Sequence, residues 1–298
     1  MGHLTPSMAT ELTAFDNYLY SGAEEESPKI ESTNKAYYWT IQHFLRFLDG
    51  RHPTRELVEE FIKHLEEKGN GPSSINRHIS ALKCYFRFRA MEFKIHGVKT
   101  DEHYPRILQD WEWRNLISTA TAPIYDRSLP DAARYRARLE LALLYSYCGG
   151  GLRCSEATHM KIEDLVDKRY IRVLRAGGKE QLVPVEPVII HAIRDYLATR
   201  WQDSCYVFCG KDPEKPMATR TAQGIIKKLC TRAGLKDVNI RSLRQTAAHQ
   251  FRKAGADERD VRDFLGNEST QRTRITHISP EALRRRLPTR FNETGGEK

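Results

Sequence analysis

Two arginines stand in sequence settings that suit a phosphate-binding site. Arg153 follows the glycine run Gly149–Gly151, where an apolar segment ends and a second helix is predicted to begin. Arg244 lies near the start of another predicted helix. The planar guanidinium group of arginine holds two phosphate oxygens, through charge-assisted hydrogen bonds worth about 1.5–3 kcal/mol each. Such a pair would stabilise the transition state of phosphoryl transfer, whereas the alternative is a glycine run that only ends a helix.

Basic residues are concentrated in the C-terminal two-thirds of the chain. The 298 residues carry a formal charge of +9. Residues 1–105 contain 13 Lys and Arg against 15 Asp and Glu, and residues 106–298 contain 35 against 24. This distribution is typical of a protein that binds a polyanion, most simply nucleic acid. A basic protein with no such partner is the alternative.

The apolar pattern divides the chain into two predicted domains. Residues 8–94 contain four stretches of helical periodicity, and residues 95–106 contain none, which is typical of a linker. Residues 107–286 form the second predicted domain, and the polar residues 287–298 are predicted to be a flexible tail. The predicted fold class is mainly α with a small β-hairpin or sheet, an α+β fold.

A β-hairpin is predicted within the second domain. Side chains alternate in Tyr170–Leu174 and again in Gln181–Val185, on either side of a glycine turn that places Lys179 near the tip. Before it, a short helix over Asp110–Thr119 is predicted to give way to a loop over Pro123–Pro130. Further predicted helices cover residues 131–147, 187–200, 219–233, 240–253, 257–265 and 280–286.

The fourth predicted helix is the basic part of an otherwise acidic first domain. Its apolar residues share one face, and a set of polar residues lies off that stripe at spacings of three and four. These residues are candidates for contact with a nucleic-acid groove, although a solvated charged face is the alternative. They are Asn76, Arg77, Ser80, Lys83 and Arg87.

Several classes of protein are disfavoured. No apolar run reaches the ~18 residues of a membrane span, so no membrane partner is expected. The first ten residues lack the pattern of a signal peptide. The six cysteines show no zinc-site spacing, so no metal is predicted and reduced, buried thiols are expected. The expected location is cytoplasmic, and nucleoid-associated in a prokaryote.

Four motifs, in order, resemble those of the tyrosine recombinase (phage integrase) family. Gly151–Glu156 resembles its first-arginine box and Arg241–Thr246 its His-x-x-Arg box. Leu265–Asn267 is similar to its Leu-Gly-His box, and Thr276–Ser279 to the residues around its nucleophile. Ser73–Lys83 resembles part of the family's helical core-binding domain. The resemblance extends from about residue 10 to residue 286.

The resemblance implies a two-domain clamp around double-stranded DNA, built from a helical core-binding domain and a mixed catalytic-type domain. It implies cleavage through a covalent phosphotyrosine with no metal or nucleotide cofactor. It also implies a dimer or tetramer on DNA, or assembly with an active recombinase partner. Arg153 and Arg244 match the two arginines that clamp the scissile phosphate, and Glu156 matches the acidic residue that supports the first.

Three positions depart from the family pattern. Arg241 stands where a histidine is usual, and a guanidinium with a pKa above about 12 takes up no proton as a base. Asn267 replaces the second histidine and offers a hydrogen bond without a charge. Ala176 stands where many members have the catalytic lysine, which leaves Lys179 and Arg175 as candidates for that role.

The nucleophile is the largest departure. Counting from the Leu-Gly-Asn box places Thr276 at the tyrosine position, whereas matching the Thr-His-Ile-Ser run places Ile275 there. Residues 207–298 contain no tyrosine. The leading hypothesis is therefore a DNA-binding protein of recombination or integration that does not cleave by the phosphotyrosine route.

Two other functions stay open at this point. One is an active site-specific recombinase in which a tyrosine comes from the first half of the chain or from a neighbouring protomer. Against this hypothesis, Tyr170, Tyr196 and Tyr206 are interpreted as core or hairpin aromatics rather than as nucleophiles. The other is a structural scaffold or a transcriptional regulator that uses the same fold.

Overall fold

Backbone contacts divide the chain into two units, Met1–His103 and Tyr104–Lys298. The computed structural model describes residues 5–21, 31–100, 106–175, 178–266 and 280–285. The predicted fold class is confirmed: the described residues are mostly helical, and their one sheet is an antiparallel pair of strands.

The described part of the first unit contains four helices around an aromatic core. They are α1 (Pro6–Ser21), α2 (Glu31–Leu48), α3 (Arg55–Glu67) and α4 (Pro72–Phe88). Phe44 and Phe61 meet edge to face with ring centroids 5.1 Å apart, an arrangement that aromatic quadrupoles favour. Thr54 Oγ1 accepts a hydrogen bond from Leu57 N and caps the start of α3.

The second unit combines a hairpin with helices. Strands β1 (Tyr170–Leu174) and β2 (Glu180–Pro184) pair antiparallel, with Ile171 opposite Val183 and both side chains fully buried. The helices are α5 (Asp110–Tyr125), α6 (Asp131–Cys148), α7 (Cys154–Thr158), α8 (Pro187–Thr199), α9 (Thr219–Arg232), α10 (Ile240–Lys253), α11 (Glu258–Leu265) and α12 (Pro280–Arg285).

The prediction that a loop begins at Pro123 is wrong. Helix α5 continues to Tyr125 with Pro123 inside it. A proline removes one backbone donor and therefore costs one hydrogen bond, but near the end of a helix few further bonds depend on it. Ile124, the next residue, is only 7% exposed, and its burial in the core favours the continued helix.

The cysteines differ partly from expectation. Four are buried, whereas Cys154 is half-buried and Cys205 is exposed. All six are free thiols. None of the helices within the described ranges is long and apolar enough to cross a membrane.

Candidate functional site

Glu156 lies at the centre of three arginines in the second unit. Its Oε1 accepts a hydrogen bond from Arg153 Nη1 at 2.6 Å, and its Oε2 accepts one from Arg175 Nη1 at 2.7 Å. Nη1 of Arg244 lies 3.7 Å from the same Oε2. The Glu156 side chain is 5% exposed, so the carboxylate is buried among cations. We call these four residues the arginine cluster.

The glycine run between α6 and α7 lets the backbone approach two neighbouring helices. A β-carbon on Gly149 would lie 2.2 Å from Cδ1 of Ile189 in α8. One on Gly151 would lie 2.7 Å from Cε1 of Phe264 in α11, and Gly151 also has a φ of +57°. Only glycine meets both demands without strain. This close packing fixes the point at which the chain enters α7, and Arg153 is the residue at that point.

Arg153 is held by its own helix and by α11. Its backbone N–H donates to Glu156 Oε2 at 2.7 Å, and its Nη2 donates to the carbonyl oxygen of Gly266 at 2.8 Å. Its side chain is 36% exposed, compared with 11% for Arg244 and 7% for Arg175. Within the arginine cluster, Arg153 is therefore the residue most open to a ligand from solvent.

Arg244 and Arg175 enter the cluster from two other elements. Arg244, on α10, donates through Nη1 to Gly151 O at 2.6 Å. Arg175 follows β1 and is one of the two residues expected at the lysine position. Its side chain instead points inward, and Nε donates to Gln181 Oε1 at 2.9 Å. Strand alternation favours this inward direction, because Arg175 follows the buried Ile171 and Val173 at a spacing of two, whereas local sequence gives no signal for its partner on α11.

Burial and neighbouring charges together shift the pKa values of the cluster. Burial raises the pKa of Glu156, but the charge of Arg175 and hydrogen bonds from Arg153 lower it further, leaving it below its ordinary 4.5. Burial first, then the positive charge of Arg153, lowers the pKa of Arg244 to about 10. Burial likewise lowers the pKa of Arg175. At neutral pH three positive charges therefore face one negative charge.

The other family positions lie apart from this cluster or outside the described residues. Lys179 is exposed at the hairpin turn, where its carbonyl oxygen accepts a hydrogen bond from Arg175 N at 2.8 Å. Arg241 is exposed on the first turn of α10. Asn267, Ile275 and Thr276 lie outside the residues that the structure describes.

The candidate DNA-binding face of α4 is only partly available. Both polar atoms of the Asn76 side chain bind the backbone of Val98: Nδ2 donates to Val98 O and Oδ1 accepts from Val98 N, each at 2.8 Å. This side chain therefore secures the segment after α4. The remaining predicted residues are exposed, and we call them the α4 polar stripe: Arg77, Ser80, Lys83 and Arg87.

Tyr196, one of the tyrosines considered from the sequence, lies in the core of the second unit. Tyr196 is 1% exposed, its ring stacks on Phe208 at 5.8 Å, and its hydroxyl lies 3.4 Å from that of Tyr135. Burial raises the pKa of Tyr196, which makes its phenol a poor nucleophile. Tyr170 begins β1 and Tyr206 pairs with Lys161 in an isolated bridge, and both are half-buried.

No group of three or more His, Cys, Asp or Glu side chains in the described part of the chain is placed to hold a metal ion. The charges of the arginine cluster suit an anion. Guanidinium groups from α7, α10 and the hairpin converge on one carboxylate, and the excess positive charge suits a phosphate group.

Comparisons with known proteins agree with this geometry. The phage integrase family model matches residues 108–281, and the phage integrase N-terminal SAM-like domain model matches residues 24–90. The tyrosine recombinase XerA of Pyrococcus furiosus is 30% identical over 282 residues, which span 92% of this chain and 91% of that protein.

Two solved structures share the two-domain fold. One is a lambda integrase tetramer bound to a Holliday junction, with a TM-score of 0.65 and 16% identity over 91% of this chain and 80% of that chain. The other is the XerH site-specific recombinase bound to difH substrate, with a TM-score of 0.65 and 14% identity over 90% and 93%. From the family matches and the XerA relative, the chain belongs to the phage integrase family, the tyrosine recombinases of DNA recombination and integration.

Proposed function

We propose that this chain binds duplex DNA as a recombinase-family protein without cleaving it through a phosphotyrosine. The proposal rests on one contrast. The three arginines of the cluster converge on Glu156, whereas residues 207–298 contain no tyrosine. The protein then holds a DNA phosphate at Arg153 and Arg244 but lacks the family's attacking group.

Electrostatics support phosphate binding at the cluster. A buried carboxylate that neutralised a single arginine would leave little attraction for an anion, but Glu156 faces three arginines. The remaining positive charge lies where Arg153 is 36% exposed. A phosphate that enters there gains charge-assisted hydrogen bonds in a medium less polar than water.

The chemistry of the replaced residues supports the loss of cleavage. An isoleucine at the tyrosine position carries no nucleophilic atom, and a threonine alcohol is far harder to deprotonate than a phenol of pKa ~10. Arg241 stands where a proton-exchanging histidine is usual, and Ala176 where a lysine is usual. Each of these substitutions removes a group that exchanges a proton or attacks.

The biological setting follows from the relatives. The lambda integrase and XerH structures contain DNA, and in the former the recombinase is a tetramer. We infer that this chain likewise binds DNA as a dimer or tetramer, either of its own copies or mixed with an active recombinase. The α4 polar stripe then adds phosphate or base contacts from the first unit. The proposed location is cytoplasmic, on nucleoid DNA in a prokaryote.

A nicked suicide substrate tests the proposal. Such a substrate traps any covalent protein–DNA intermediate, which denaturing gel electrophoresis and mass spectrometry detect. We expect the wild-type protein to bind the duplex but form no adduct. An active relative gives the positive control for the substrate, and Arg153→Met gives the control for binding.

Either of two outcomes would contradict the proposal. An adduct at Thr276 or at any tyrosine would identify the protein as an active recombinase with an unusual or trans-supplied nucleophile. Affinity for duplex DNA that is weak and independent of salt would favour a scaffold, because each phosphate contact releases counterions and makes binding fall with salt.

A further inference from the structure

The backbone carbonyl oxygens at the carboxyl end of α11 accept hydrogen bonds from side chains in three distant parts of the chain. Helix ends leave four carbonyl oxygens without a partner inside the helix. Here the carbonyls of Asp263, Phe264, Leu265 and Gly266 accept hydrogen bonds from four different side chains, in that order. The donors are Gln181 Nε2, Arg175 Nη2, Arg244 Nη2 and Arg153 Nη2.

This arrangement joins α11 to the arginine cluster electrostatically as well as by hydrogen bonds. The carboxyl end of a helix carries about half a negative charge, and nearby cations stabilise it. Three of the four donors are arginines. The two phosphate-binding arginines therefore take part of their orientation from α11: Arg153 from Gly266 O and Arg244 from Leu265 O.

The hairpin residues Arg175 and Gln181 hold the same turn, Arg175 from a buried position and Gln181 from a half-buried one. Each guanidinium nitrogen of Arg175 donates to a protein atom: Nε to Gln181, Nη1 to Glu156 and Nη2 to Phe264 O. Its side chain is 7% exposed, which leaves it little contact with any DNA. Gln181 completes the link through its bond to Asp263 O at 2.7 Å.

We propose that Arg175 and Gln181 are positioning residues for DNA phosphate. They hold Glu156 and the carboxyl end of α11, and these two supports in turn fix the guanidinium groups of Arg153 and Arg244. The inference rests on the proposed phosphate binding by those two arginines. It assigns Arg175 a task different from that of a lysine that touches the scissile phosphate.

A double-mutant cycle separates positioning from direct contact. Arg175→Met is measured alone and in the Arg153→Met background, with a labelled random-sequence duplex as the probe. Positioning through Arg153 predicts that Arg175→Met weakens binding about tenfold alone and less than about threefold when Arg153 is already gone, because coupled residues are not additive. A direct contact or a purely structural role gives the same factor in both backgrounds and overturns the proposal.

Hydrogen exchange measures the hold on α11 directly. We expect the amides at the carboxyl end of α11 to exchange faster in Arg175→Met and, by a smaller factor, in Gln181→Leu. Arg175→Lys keeps the positive charge but loses the planar guanidinium with its several N–H donors. We therefore expect it to restore neither the protection of α11 from hydrogen exchange nor the DNA affinity. Arg172→Met is the matched control, because Arg172 lies on the same hairpin and its side chain, 40% exposed, pairs with Glu180.

The variants also distinguish this inference from the function on which it rests. If Arg153→Met leaves DNA affinity unchanged, the proposed phosphate site is wrong. If Arg153→Met weakens binding but Arg175→Met and Gln181→Leu do not, the phosphate site stands and positioning by the hairpin is wrong. Should Arg175→Met fail to fold, Gln181→Leu alone decides, since it removes the two hydrogen bonds of one amide, to Arg175 Nε and Asp263 O, and leaves all three arginines in place.

Discussion

Arg175 and Gly266 pack so closely that a β-carbon on Gly266 would lie 2.4 Å from Arg175 Nε. Gly266 also ends α11 in the left-handed conformation, with a φ of +61°. Two separate costs therefore oppose any side chain at this position. The left-handed backbone alone costs a non-glycine residue about 1–2 kcal/mol.

Gly266→Ala is expected to lower the free energy of unfolding by clearly more than this backbone cost. The extra loss arises because Arg175 is buried and bonded through three nitrogens, so it has little room to move. Gly234→Ala is the matched control, since Gly234 has a φ of +69° and nothing within 4 Å of its β-carbon position. Urea unfolding of both variants isolates the steric part. Equal losses of unfolding free energy in the two variants would show that the Arg175 side chain moves aside without cost.

Glu156→Gln is expected to lower the free energy of unfolding by about 3 kcal/mol, because it leaves the buried guanidinium of Arg175 without its counter-charge. The pKa of Glu156 is lowered from 4.5 in the folded protein. Its contribution to stability is therefore complete above pH 4.5 and is lost as pH falls through the lower, folded-state value.

Urea unfolding between neutral and acidic pH tests both parts of this prediction. Wild type should lose stability below pH 4.5 more steeply than Glu156→Gln. Glu163→Gln is the control, since that carboxylate is 68% exposed and pairs with Lys161 at the surface. Parallel acid profiles for wild type and Glu156→Gln would mean that the carboxylate contributes no net stabilisation.

Asn76→Ala is expected to release the segment after α4 and to destabilise the first unit by about 1–3 kcal/mol. The reason is the loss of both hydrogen bonds to Val98, which are partly buried. Exchange at the Val98 amide should accelerate. Ser80→Ala, one turn further along α4 and exposed, should leave both measurements unchanged. An unchanged Val98 amide in Asn76→Ala would show that other contacts hold the segment.

Arg87→Ala is expected to weaken duplex binding similarly for all sequences and to reduce the slope of log affinity against log salt by about one. Arg87 belongs to the α4 polar stripe and is exposed. Lys63→Ala, at an exposed position on α3, removes the same charge from another helix and serves as the control. Equal slopes for the two variants would mean that α4 has no special part in binding DNA.

The helices and the hairpin are predictable from sequence because each depends on a local period. Thr54 caps α3 through a hydrogen bond to a residue only three positions away in the sequence. The spacing of apolar residues indicates which face of α2 packs in the core. The end of α5 is predicted wrongly at Pro123 because there a tertiary contact outweighs the local signal. The local effect of the proline indicates an end to the helix, but burial of Ile124 favours continuation.

The candidate site is predictable only in part. The order of the motifs indicates that Arg153, Glu156 and Arg244 belong together, and the structure places them side by side. The pattern of residues on the faces of α4 does not predict that Asn76 binds Val98, because Val98 is 22 residues away in an irregular segment. The roles of Arg175 and Gln181 likewise need α11, which is more than 80 residues distant, to be in place.

These long separations bear on when the site exists during synthesis. Arg153 and its partner Gly266 are 113 residues apart, so a growing chain that has just produced α7 has the arginine without its carbonyl. Contacts of such high sequence separation form late, because a large loop must close first. Emerging α7 thus has an incompletely ordered arginine, and the proposed phosphate site is complete only after Gly266 has left the ribosome.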